Sequence, residues 1–193
     1  DTPFHADGLT QIFTSAMALR CEEERRLSLD DRIGDFRVET AEPDATIRHL
    51  LTHTSGAYDN LAFSYRPERL NPLWRVLRTC TVDSYRESLA NLFKRLAMID
   101  SVPGPNILTI AAPDEGVPFP EDVERYAAVL QRRAAPYAVD ERRRSSPSTY
   151  PESASMLTPS SGVITTVRDL AKFDLALKQG ILLQRDTLDQ AWS

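Results

Sequence analysis

His53, Thr54, Ser55 and Gly56 set an imidazole beside hydroxyls, the ingredients of nucleophilic acyl transfer. That chemistry needs the ring nitrogen to face the attacking oxygen. Residues two apart do not readily face one another, so the segment reads as a tight turn closed by Gly56 rather than a Ser–His pair. A serine three residues before a lysine would place nucleophile and base on one helix face. The three lysines, Lys94, Lys172 and Lys178, have Asn91, Asp169 and Leu175 at that position. No Ser-x-x-Lys and no Gly-x-Ser-x-Gly occurs anywhere in the chain. His49 and His53 are four apart but lack a third ligand, and His5 does not supply one, so no metal set is read from them. Asp30 and Asp31 read as capping and turn residues rather than an acid–base pair. Cys21 ends an apolar helical stripe and Cys80 lies far along the chain. The two read as separate packed thiols, not as a bridge.

The elements that must position these groups are mainly helical. Leu9, Ile12, Phe13, Ala16 and Met17 recur at helical spacing and predict a helix from Leu9 to Cys21. Thr46 is an N-cap for a short helix over Ile47 to Leu51. Glu68 to Thr79 reads as an amphipathic helix with Leu70, Leu73, Trp74 and Leu77 on one face. Tyr85 to Leu96 reads as another. Pro103 to Pro120 is proline-rich loop, and Glu121 to Arg133 is a helix. Residues 134–159 are polar, with several prolines and serines, and read as a flexible loop. Thr166-Val167-Arg168-Asp169 opens a helix in the manner of a capping box, Gly180 ends it, and Leu182 to Trp192 forms a last short helix. The whole reads as one domain, 1–193.

Composition bounds the function. The chain is 41% hydrophobic and 26% charged, an ordinary globular balance. A net charge of −5 argues against nucleic acid or an anionic membrane as the main partner. The cationic residues are scattered, and Arg142-Arg143-Arg144 reads as a solvated loop. No window approaches the length of a membrane span. The chain opens at Asp1 and reads as starting within a longer protein, so the compartment stays open.

Thr46-Ile47-Arg48-His49-Leu50-Leu51-Thr52-His53-Thr54-Ser55-Gly56 resembles the segment after the first long helix of the serine β-lactamase family, which includes class C β-lactamases, DD-peptidases and related esterases. Leu27-Ser28-Leu29-Asp30-Asp31 resembles that family's LSLDD. Leu96 to Gly104 and Ser160 to Trp192 resemble two further family blocks. The resemblance implies an α+β fold, an antiparallel sheet against a helical domain with the site between them. Most of the sheet-forming segments lie outside this chain, so the sheet is expected to be largely missing or incomplete. It also implies acyl transfer to or from amides and esters without a metal or organic cofactor, and often a periplasmic setting.

The same resemblance puts the family's serine and lysine slots at Gly8 and Gln11, 45 residues before the HTSG turn. Glycine has no nucleophile, and an amide is no base near neutral pH. The second family motif, Tyr-x-Asn, falls on Tyr65-Arg66-Pro67. Tyr65 is retained, either as a proton-transfer group or as a packed aromatic, and Pro67 replaces the asparagine. The third motif would fall beyond Ser193. Glycines of the family pattern are replaced by Arg25, at a helix stop, by Val82, after Thr81, and by Ala97. The expectation is thus a catalytically impaired family member, alternatively a pseudoenzyme that binds a small or peptidoglycan-like acyl ligand, or a fragment without function. An apolar face around Phe4 to Met17 is expected to stand exposed and to bind sheet segments or self-associate.

Overall fold

A computed structural model describes residues 1–56, 60–110, 119–150 and 155–191. The described chain is α+β, with seven α-helices and two small antiparallel sheets. The helices are α1 (Thr10–Glu23), α2 (Ile47–Leu51), α3 (Leu73–Leu77), α4 (Tyr85–Arg95), α5 (Val123–Gln131), α6 (Val167–Lys178) and α7 (Arg185–Ala191). Strand β1 (Phe4–His5) pairs with β4 (Ile164–Thr165), Phe4 opposite Thr165, and Ile164 also bridges Val102. The sheet is therefore a remnant, as the resemblance implied. Among the described residues no helix is long and apolar enough to cross a membrane.

The core forms where α1, α4 and α6 converge. Phe13 of α1 meets Phe93 of α4 edge-on at 5.4 Å and Phe173 of α6 at 4.6 Å. All three rings are buried, and each is worth about 1.5–3 kcal/mol in transfer terms. A smaller cluster of Val102, Ile107, Tyr126, Val129 and Ile164 seats α5 beside β4. Around α1 the foreseen stripe is only half right. Phe13 and Ala16 are buried, but Leu9 and Ile12 stand 45% and 39% exposed, while Thr10, Gln11 and Thr14 turn inward. Polar groups can do so because each finds a partner. The Thr10 hydroxyl accepts from the Val163 N–H at 3.1 Å. The Thr14 hydroxyl donates to the Pro159 carbonyl, so the Tyr85 hydroxyl, 2.7 Å away, is left to donate to it.

Two expectations are corrected. The helix foreseen over Glu68 to Thr79 is divided into a 3₁₀ turn (Pro67–Leu70) and α3, because Pro72 has no N–H to continue the ladder. Trp74 points outward while Val76 takes a core position. The two cysteines are also joined. Cys21, on the last turn of α1, and Cys80, just past α3, form a disulfide with Cα atoms 5.8 Å apart. Sequence spacing could not show that α1 and α3 pack side by side.

Residues 134–159 include a hairpin, β2 (Tyr137–Val139) paired with β3 (Ser145–Pro147), whose tip is tied by Arg142 and Arg144 N–H groups donating to Asp140. The hairpin is exposed on both strands. The last helix ends at Ala191, and Trp192 lies outside the described residues.

Four helices end in the same six-residue closure. In α1, Arg25 N–H reaches Glu22 O and Arg26 N–H reaches Cys21 O. The ends of α2, α4 and α6 repeat this with His53, Ala97 and Gly180 at the left-handed position. Only Gly180 is glycine. Arg25 and Ala97, at φ +56° and +51°, carry side chains into a conformation that disfavours them. Val82, the third replaced glycine, is not left-handed. Arg25→Gly and Ala97→Gly should therefore each stabilise by about 1 kcal/mol, raising Tm by roughly 2–4 °C per site. Val82→Gly should not raise it. Thermal melts of the three variants check this.

Candidate active-site cleft

The chain enters α1 through a 3₁₀ turn, Asp7–Leu9, with β1 immediately before it. Ala6 N–H bonds the Val163 carbonyl at 2.9 Å, so the β1–β4 pair fixes where the helix begins. Gly8 therefore lies at the mouth of a cleft of about 470 Å³ lined by Gly8, Tyr65, Pro67, Asn71, Met156 and Ser160, together with Asp7, Glu68, Thr158 and Ser161. Among the described lining residues none is a lysine, arginine or histidine, and Asp7 and Glu68 bring two carboxylates.

The three positions named from sequence come together here. A Cβ built on Gly8 would lie 2.9 Å from the Tyr65 hydroxyl and 3.5 Å from Gln11 Nε2. Gln11 Nε2 donates to the Tyr65 hydroxyl at 3.0 Å. Gln11 is buried, whereas Tyr65 is 56% exposed and reaches into the cleft. Tyr65 thus both packs against this corner and lines the cleft. Pro67 lines the cleft without an amide to offer. Asn71, four residues on, does carry one, but its Oδ1 accepts from the Ser160 hydroxyl at 2.9 Å. Ser160 in turn lies 3.0 Å from the Thr158 hydroxyl.

His53, which reads from sequence as part of a tight turn, joins the corner of Gly8, Gln11 and Tyr65. Its Nε2 lies 2.9 Å from Gln11 Oε1, and its ring packs 4.8 Å from that of Tyr65. The signal lay in the 42-residue gap between Gln11 and His53, which only the α1–α2 packing closes. Burial pushes the His53 pKa down, partly opposed by the Glu68 carboxylate, which favours the neutral ring. His49 is a cap: its Nδ1 accepts from Thr46 N–H at 3.1 Å, completing a capping box. His5 Nδ1 accepts from Asp7 N–H at 3.2 Å. The three histidines thus occupy separate settings.

Asp30 and Asp31 are structural as read. Asp31 accepts from the Ser28 N–H, and Asp30 forms an ion pair with Arg48. Thr166 caps α6 by accepting from Asp169 N–H, but the Asp169 carboxylate does not reach back to complete a box. It is buried and accepts from Asp100 N–H and the Ser101 hydroxyl, both at 2.9 Å, with Lys172 as its ion partner.

Comparison with known proteins places this geometry. The family described as Beta-lactamase matches residues 1–99, just over half of the 193. A penicillin-binding protein from Bacillus halodurans superposes with a TM-score of 0.72 at 19% identity, over 100% of this chain and 65% of its own. The D-amino acid amidase from Ochrobactrum anthropi SV3, complexed with L-phenylalanine amide, gives 0.74 at 18% identity, over 97% and 59%. Simvastatin synthase from Aspergillus terreus gives 0.72 at 18%, over 98% and 56%. The chain thus spans less than two thirds of the length of these structures. No curated protein matches it.

Proposed function

Because the chain belongs to the β-lactamase family and its cleft holds Gly8 beside Tyr65 with no lysine or histidine among its described lining residues, we propose that it binds a small acyl or peptide-type ligand without forming an acyl-enzyme. The observation that carries this is Gly8. A cleft can keep its shape and its polar groups when the nucleophile is lost, but it cannot make the covalent bond. Ser160 and Ser161 are not hydrogen-bonded to a lysine or histidine among the described residues, and Ser160 donates to Asn71.

The volume, about 470 Å³, suits a drug-sized molecule. The lining pairs apolar Met156 and Pro67 with the Tyr65, Asn71 and Ser160 polar groups and the Asp7 and Glu68 carboxylates, a surface for a ligand with one hydrophobic side chain and an amide end. The amidase relative, which was crystallised with L-phenylalanine amide, sets the scale of probe.

Titration calorimetry with D-phenylalanine amide and with benzylpenicillin, followed by intact-mass measurement, tests the reading. Saturable heat with unchanged mass is expected, lost on Tyr65→Ala. A stoichiometric serine adduct, or no binding of either probe to the folded protein, overturns it.

A further inference from the structure

Resting on that ligand-binding reading, we infer that His53 is a positioning residue. It holds the Gln11 amide so that the Tyr65 hydroxyl presents its hydrogen to the cleft, which makes the site a donor for a neutral carbonyl oxygen.

The argument concerns the direction of a hydrogen-bond chain. His53 Nε2, Gln11 and Tyr65 are linked at 2.9 and 3.0 Å. Two directions satisfy both links. In the first, His53 Nε2–H donates to Gln11 Oε1, Gln11 Nε2–H donates to the Tyr65 oxygen, and the Tyr65 O–H is left free. In the second, the amide is turned over, Tyr65 donates to Gln11, and only oxygen lone pairs face the cleft. The second direction requires the His53 proton on Nδ1. That atom is buried and has no partner among the described residues. An orphaned buried N–H costs about 1–3 kcal/mol, and an unpaired acceptor is the commoner and cheaper orphan. The first direction therefore prevails.

The His53 ring packs 6.0 Å from that of Phe63 and 4.8 Å from that of Tyr65, which keeps it beside the phenol. The free O–H also has somewhere to point. Gly8 leaves open the volume next to the phenol that any Cβ would contest at 2.9 Å. The lysine-like role of taking a proton is absent here. What replaces it is a fixed amide that hands polarity from an imidazole to a phenol.

The test is long-range ¹H–¹⁵N correlation on ¹⁵N-histidine-labelled protein between pH 5 and 8. The His53 signal is assigned by its loss in His53→Asn, which tolerates a left-handed backbone, or by elimination in His5→Gln and His49→Gln should that variant not fold. The expected pattern is the neutral Nε2–H form at pH 7. An Nδ1–H form, or an imidazolium at pH 7, overturns the inference. Calorimetry with D-phenylalanine amide supplies a second reading. Tyr65→Phe is expected to weaken binding by about tenfold, and His53→Asn by less. The double variant should be no worse than Tyr65→Phe alone, and additive losses overturn the coupling. If the amide binds nowhere, the ligand reading falls, while the imidazole spectrum still decides the chain's direction.

Discussion

Gly8→Ser combined with Gln11→Lys is expected to take up a fluorophosphonate yet remain a poor hydrolase, and the native chain should do neither. Removing the nucleophile from a serine enzyme costs on the order of 10⁶-fold in rate, so the native protein should hydrolyse a chromogenic cephalosporin no faster than buffer. Returning serine and lysine does not return their setting. The new Cβ at position 8 falls 2.9 Å from the Tyr65 hydroxyl, so the phenol must withdraw. Replacing Gln11 also breaks its bonds to Tyr65 and to His53. Pro67 still offers no amide to orient the substrate. A misplacement near 1 Å costs about 10²-fold, and two such faults should hold turnover at least that far below a competent enzyme. Intact mass and the cephalosporin assay measure the two halves. Native turnover abolished by Tyr65→Phe would refute the expectation.

Reducing the disulfide should have the largest effect on stability. Cys21 and Cys80 are separated by 59 residues, and cross-linking a loop of that length constrains the unfolded chain by about 4 kcal/mol. For a domain of this size that corresponds to roughly 10 °C in Tm. The bond also ties the end of α1 to the segment after α3, and the Arg26 guanidinium bonds the Cys80 carbonyl beside it. Cys21→Ser with Cys80→Ser should melt roughly 10 °C lower than the oxidised protein and be insensitive to dithiothreitol. Equal Tm values for native and double-serine protein would show that the bridge does not form in solution.

Local signals were legible in the sequence. Thr46 and Thr166 were read as caps because a hydroxyl before a periodic apolar run has one obvious use, and both accept the expected N–H. Tyr65, Gly8 and Gln11 were named by resemblance, and the structure brings them within contact of one another. What failed was through-space. The cysteines looked separate because spacing along the chain is silent on which helices pack together. Trp74 matches the apolar period, yet Leu70, Leu73 and Leu77 fill that face together with Val76 and leave Trp74 at its exposed edge. Asp169 looked like a capping partner for α6, yet its carboxylate serves a neighbouring segment. His53 was judged against Ser55, two residues away, when its partner was on another helix.

The pairing of Phe4 with Thr165 bears on the order in which the site is made during synthesis. Ala6, which leads into Gly8, is held by Val163, a residue that leaves the ribosome on the order of ten seconds after it. Cys21 and Cys80 are both available long before then. The crosslink can therefore close while the mouth of the cleft is still open, and the Gly8 corner is the last part of the site to settle. A nascent chain halted before residue 163 should lack the Ala6–Val163 bond that fixes the Gly8 corner, whether or not Cys21 and Cys80 have paired.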